Sequence, residues 1–134
     1  MHFSYPEYPK TIGDHIRKKR MDLKLLQKDV AEIFSVSEDC ITFWENNRNN
    51  PQIRYYPRII KFLGYWPIKL ELLTFNDRIR SYRFLNGLSQ KRFADMMNVD
   101  PKTLVQLENG KGNIIQKMKI EKFLGNYDFK INSF

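Results

Sequence analysis

Residues 90–110 read Gln90-Lys91-Arg92-Phe93-Ala94-Asp95-Met96-Met97-Asn98-Val99-Asp100-Pro101-Lys102-Thr103-Leu104-Val105-Gln106-Leu107-Glu108-Asn109-Gly110. Phe93 and Met97 recur at helical spacing before the turn, and Leu104 and Leu107 after it. Asn98 tolerates the left-handed conformation that such a turn needs. Asp100-Pro101 is a helix start, a capping carboxylate followed by proline in the first helical position. The stretch therefore predicts two short helices crossing steeply through a tight turn. A small residue is required where they cross, and Ala94 supplies it.

The same arrangement occurs once before. Gln27-Lys28-Asp29-Val30-Ala31 leads to Val36 and then to Ile41 and Trp44-Glu45-Asn46. The offset is constant at 63 residues (90 − 27 and 108 − 45). Val30, Phe34, Val36, Ile41 and Trp44 match Phe93, Met97, Val99, Leu104 and Leu107, and Ala31 matches Ala94. A bland pair of amphipathic helices would not fix an alanine, a turn valine and five core positions twice. A chain of 134 residues then divides into an N-terminal arm and first unit over 1–66, and a second unit with a C-terminal tail over 67–134. Units of about 60 residues lie near the lower limit for an independent core and are expected to support each other.

Outward from the repeat, the first helix is expected from about Gly13 to Leu23. Ile12, Ile16 and Leu23 would point inward, and Arg17, Lys18, Lys19 and Arg20 largely outward. Ser37 caps the helix that ends near Asn46. Pro57 starts a last helix, closed at Leu63 by Gly64. In the second unit Asn76 is a plausible cap, Ile79, Tyr82 and Phe84-Leu85 lie on the first helix, and Ser89 caps the next. A final helix covers about Ile114 to Leu124. Lys61-Phe62-Leu63-Gly64 recurs there as Lys122-Phe123-Leu124-Gly125, now 61 apart (122 − 61). The arm holds Pro6 and Pro9, with Phe3, Tyr5 and Tyr8 as packing residues. The connection over residues 65–74, with Leu70, Leu72 and Leu73, is too apolar for a free linker. Tyr127, Phe129 and Ile131 alternate, as a strand or as part of an interface. Nothing else requires a strand, so the fold class is all-α.

The net charge is +8 and the isoelectric point about 9.6. Each half shares the excess, with 11 Lys/Arg against 8 Asp/Glu in residues 1–66 and 12 against 7 in 67–134. Such a balance points to an acidic partner, nucleic acid before an anionic membrane. Cys40 is the only cysteine, so no internal disulfide can form and a reducing cytoplasm is the simplest compartment. No apolar run nears the ~20 residues that span a bilayer, and the N-terminus lacks the pattern of a signal peptide. His2 and His15 have no companion ligands, so no metal is expected. No glycine-rich phosphate loop or nucleophile with its base is present, which argues against an enzyme. No cofactor is expected.

Gln90-Lys91, Ala94, Val99-Asp100, Leu104 and Gln106-Leu107-Glu108-Asn109-Gly110 resemble the helix-turn-helix domain of the Xre, Cro and phage-repressor (lambda repressor-like) type. Thr11 through Arg17, Leu26 through Ala31, Trp44-Glu45 and the stretch from Pro51 to Tyr65 resemble a bacterial variety of the same domain. The resemblance implies four- or five-helix units, transcription regulation and the second motif helix in the major groove of double-stranded DNA.

From that geometry, base readout is expected from Pro101, Lys102, Thr103 and Gln106. Lysine can donate to guanine, glutamine can address adenine, and threonine can meet a thymine methyl. The same face of the first unit carries Glu38, Asp39, Thr42 and Phe43. Carboxylates there repel DNA unless they accept from cytosine. Phe43 either meets thymine methyls or marks a face that binds protein. Backbone contacts are expected from Gln27, Lys28, Gln90 and Lys91 at the start of the first motif helix, and from Asn46, Arg48, Asn109 and Lys111 after the second. Arg17, Arg20, Arg80 and Arg83 match at the same offset and either flank phosphates or pair with acids. Asn47 stands where the second copy has Gly110, a departure from the pattern.

A regulator that reads DNA at one or two places is the leading expectation, placed in the bacterial cytoplasm at the nucleoid. Sites on successive turns would lie about 34–36 Å apart, as a direct or an inverted repeat. The alternative is an interaction module, antitoxin-like or a phage adaptor, whose first unit holds a protein. A homodimer is also compatible with the sequence.

Overall fold

Thr11 starts the first helix. Its hydroxyl accepts from the Asp14 amide at 3.0 Å, and the Asp14 carboxylate accepts from the amides of Lys10 and Thr11 in return. This reciprocal cap satisfies donors that a helix start otherwise leaves open. Burial pushes the Asp14 carboxyl up, but the donors from Lys10, Asn47 and Thr11 outweigh it and hold the group below its ordinary range.

The computed structural model describes residues 5–67 and 74–129. Helix α1 spans Ile12–Asp22, α2 Gln27–Phe34 and α3 Glu38–Glu45. A 3-10 turn, Ile53–Tyr55, runs into α4, Tyr56–Leu63. Then follow α5 Phe75–Asn86, α6 Gln90–Met97, α7 Pro101–Glu108 and α8 Ile114–Gly125. No strand occurs among the described residues, and the fold is all-α.

The helices bury two cores. Ile16, Val30, Phe34, Ile41, Trp44, Ile59 and Leu63 centre the first, which α1–α4 enclose. Ile79, Phe93, Met97, Leu104, Leu107, Ile120 and Leu124 centre the second, inside α5–α8. Phe84 of α5 joins them. Its ring stands edge-on to Tyr56 at 4.7 Å and to Trp66 at 6.4 Å, so α5 is a member of one core and a lid on the other. Val36 is only partly buried against the first core, whereas Val99 is buried in the second.

The 63-residue correspondence extends to the backbone. Lys24 and Gly87, Ser35 and Asn98, and Asn47 and Gly110 are all left-handed, each pair 63 residues apart. Asn47 takes φ 60°, against 80° at Gly110, so the departure at this position changes the residue and keeps the conformation. The helix opposite compensates. A Cβ on Gly13 of α1 would meet the Trp44 carbonyl at 1.8 Å and Asn47 Oδ1 at 3.0 Å. At the matching place in the second half, Asn76 carries the side chain and Gly110 is bare, 3.4 Å from Asn76 Nδ2 once a Cβ is added. One amide side chain fills the gap in each half, from opposite sides.

Three expectations change. Leu23 is 50% exposed, because α1 stops at Asp22 and the left-handed Lys24 swings the chain so that Leu25 packs inward instead. Asn76 is inside α5; Thr74 is the cap, accepting from the Asp77 amide at 3.1 Å. The tail folds back as coil rather than strand over its described part. Tyr127 packs edge-on to Tyr82 at 4.6 Å, and Phe129 on Tyr127 at 4.8 Å. In the arm, Tyr5 donates to Asp22 at 2.6 Å while Tyr8 lies open to solvent. Phe3, Leu70, Leu72, Leu73 and Ile131 fall outside the described residues.

Candidate nucleic-acid interface

In α7, Leu104 and Leu107 turn inward and fix which side is left for a ligand. Pro101, Lys102 and Gln106 are exposed and Thr103 is half-buried. Asp100 accepts from the Lys102 amide at 2.8 Å and anchors the start of the helix. Val105, not singled out in the sequence, also faces outward. Lys91 and Arg92 of α6 are exposed, as are Asn109 and Lys111 beyond the end of α7. The exposed groups on and beside this helix pair are thus mostly amides and cations.

Gln90 sits half-buried at the start of α6 and donates Nε2 to Glu108 Oε1 at 3.3 Å. Arg83 holds the same carboxylate with two bonds, Nε to Oε2 at 2.7 Å and Nη2 to Oε1 at 3.1 Å. Its Nη1 donates to the Leu88 carbonyl at 3.2 Å. The Arg83 side chain is 9% exposed, whereas Arg80, 4.0 Å from Glu108, is more open. Glu108 therefore ties α5, α6 and α7 together.

Glu45 does the same in the first half. It accepts from Arg20 Nε at 2.7 Å and Nη2 at 2.9 Å, from Arg17 Nε at 3.3 Å and from Gln27 Nε2 at 3.2 Å. Arg20 also donates to the Leu25 carbonyl, and Arg17 to Asn46 Oδ1 at 2.9 Å. Of the two roles open to these arginines, Arg20 and Arg83 take the acid partner, and the pairing is internal rather than on the surface. A buried bidentate pair holds helices at a fixed angle, and removing one partner strands the other charge. Arginine and glutamate repeating together at one offset were the signal for this clamp.

The outward face of α3 differs from that of α7. Asp39 is exposed, and Phe43 is 37% exposed with the Arg48 guanidinium 5.7 Å from its ring centre. Thr42 is half-buried and donates to Gln27 Oε1 at 2.9 Å. Gln27 thus uses both ends of its amide inside the protein, while only Nε2 of Gln90 is so engaged. Together α2 and α3 carry one lysine and five acids; α6 and α7 carry three bases and two acids. Lys28 and Asn46 lie on the rim of an open groove of about 480 Å³, with Leu26, Gln27, Glu38 and Thr42.

Arg54 and Arg92 escaped the sequence reading. They border a groove of about 420 Å³ between the 3-10 turn of the first half and the start of α6, with Gln52, Gly87 and Ser89. Only the packing of the two halves brings them together.

Residues 79–128 match the family model described as helix-turn-helix. This segment is a helix-turn-helix domain of the Xre and phage-repressor kind. Its motif is α6, the left-handed Asn98 and α7, and this type of domain binds DNA. No curated protein and no solved structure matches the chain. Among the described residues no His/Cys/Asp/Glu group could hold a metal, and no helix is long and apolar enough to cross a membrane.

Proposed function

We propose that the protein is a sequence-specific transcription regulator that binds double-stranded DNA. It is built from two tandem lambda repressor-like units, over 1–66 and 67–134, and acts in the bacterial cytoplasm at the nucleoid. The observation that carries this reading is the helix-turn-helix match over residues 79–128, on a helix pair whose open side offers Lys102, Gln106, Lys91 and Lys111.

In this reading α7 enters the major groove. Lys102 and Gln106 donate to base edges, with Thr103 and Pro101 against thymine methyls. Gln90, Lys91, Asn109 and Lys111 contact the backbone, and the positive-φ Gly110 and Gly112 let main-chain amides approach phosphate. Arg80 joins them from its half-buried position beside Glu108. Arg20 and Arg83 are left out, because their guanidinium groups are spent on Glu45 and Glu108. Asp39, Thr42 and Phe43 are weak readers for a physical reason: a carboxylate repels DNA, and the hydroxyl is already engaged. Lys28 and Arg48 remain available for phosphate, while Arg17 is engaged at Glu45 and Asn46 accepts from Arg17.

Selection of bound sequences from a random duplex pool tests the proposal. The expected result is an enriched motif whose affinity falls steeply with salt, as phosphate neutralisation requires. Recovery of no motif, with no duplex retained at low ionic strength, would overturn it.

A further inference from the structure

The outward side of α8 is apolar and open among the described residues. Ile114 and Ile115 are 70% exposed and Met118 is 63% exposed. Spaced at i, i+1 and i+4 on a helix whose Ile120 and Leu124 face the core, they form one stripe. Lys119 and Lys122 flank it, both exposed.

The repeat shows what this surface is equivalent to. At the 61-residue offset of the last helices, Ile114, Ile115 and Met118 match Ile53, Arg54 and Pro57 (114 − 53, 115 − 54, 118 − 57). Of these, Ile53 and Pro57 are half-buried and Arg54 is exposed, whereas all three α8 positions are open. Pro57 and the Arg54 carbonyl lie at the junction with the C-terminal end of α5. A Cβ on Gly87 would touch Pro57 at 3.1 Å and the Arg54 carbonyl at 3.2 Å, and Phe84 stands edge-on to the neighbouring Tyr56. Nothing among the described residues covers the α8 stripe.

The second open surface is the α2–α3 face. Where the helix-turn-helix domain has Ser89, Arg92, Lys102 and Gln106, the first half has Leu26, Asp29, Asp39 and Phe43, all at the 63-residue offset. Each replacement swaps a group suited to DNA for an apolar or acidic one. Leu26 is 60% exposed.

We propose that chains associate head to tail, with the α2–α3 face of one copy on the α8 stripe of the next. Phe43 and Leu26 meet Ile115 and Met118. Glu38 and Asp39 meet Lys119 and Lys122. A twofold contact of α8 with itself would instead set Lys117, Lys119 and Lys122 against their copies, with Glu121 as the only acid on that helix. The contact joins two different patches, so it closes into a ring or extends as an open chain. It leaves α7 free.

Sedimentation equilibrium on the full chain tests this at low salt, with circular dichroism checking the fold of each variant. The wild type is expected to associate as concentration rises. Asp39→Lys should weaken association at least tenfold, as should Lys119→Glu/Lys122→Glu, and combining all three should restore it to within about threefold. Phe43→Ala should weaken it without changing the helical signal. A wild type that stays monomeric overturns the proposal. So does association that ignores Asp39→Lys but responds to the α8 changes, since that outcome assigns the stripe to a twofold contact or another partner. Neither result bears on DNA binding by α7, which is read separately by duplex titration.

Discussion

The two helix pairs, α2–α3 and α6–α7, share a scaffold and differ in what they show to solvent. Both are held by a buried glutamate at the end of the second helix, bound by an arginine from the preceding long helix and by the glutamine that starts the pair. Both turn through a left-handed residue, Ser35 or Asn98. The outward positions then diverge: Asp39 against Lys102, Phe43 against Gln106. What must stay the same for the pair to fold lies inside, and what can change function lies on one face. Two matching helix pairs can therefore keep one architecture while their outward faces carry different chemistry.

The comparison can be broken most severely at the clamps. Glu108→Gln strands Arg83, and Glu45→Gln strands Arg20. Each should cost about 3–5 kcal/mol of stability, the usual penalty for leaving a buried charge alone. Urea unfolding of the two variants would measure this. Losses below about 1 kcal/mol would mean that the pairs behave as surface ion pairs do.

The exchange between Gly13 and Asn76 gives the next effect. Gly13→Ala forces a methyl against the Trp44 carbonyl and should destabilise by about 1–3 kcal/mol, as overpacking does. Asn76→Ala, where the second half has room for a side chain, should cost less. Equal costs would show that the two contacts are not counterparts.

The smallest effect lies after the first helix of each half. Lys24 holds φ 58° where Gly87 holds 67°. Lys24→Gly removes a left-handed strain of about 1–2 kcal/mol and adds about 0.4–1 kcal/mol of unfolded-chain entropy. A net gain of roughly 0.5–1 kcal/mol is expected in thermal unfolding, and a loss would place the value of Lys24 in its side chain.

Much of this was legible in the sequence because it rests on local rules. Asp100-Pro101 and Ser89 announced their helix starts, Asn98 its turn, and the alternation of Phe93, Met97, Leu104 and Leu107 the inward face. The misreadings come from non-local packing. Whether Asn76 caps a helix or fills a gap depends on Gly110, far along the chain. Leu23 looked like core until Lys24 redirected the backbone. The role of Arg83 depended on an acid 25 residues away. The grouping of Arg54 with Arg92 depended on how α5 covers the first core.

The central claim is that α7, and not α3, reads DNA. The most direct measurement is titration of the selected duplex, at nanomolar protein, with Lys102→Ala/Gln106→Ala and with Asp39→Ala/Phe43→Ala. Loss of each good base contact is worth about 1–3 kcal/mol, so the first variant, which loses two, should bind roughly 30-fold to 25,000-fold more weakly and lose its preference over unrelated duplex. The second should bind within about twofold of the wild type. Unchanged affinity and preference in the first variant, or a comparable loss in the second, would contradict the account.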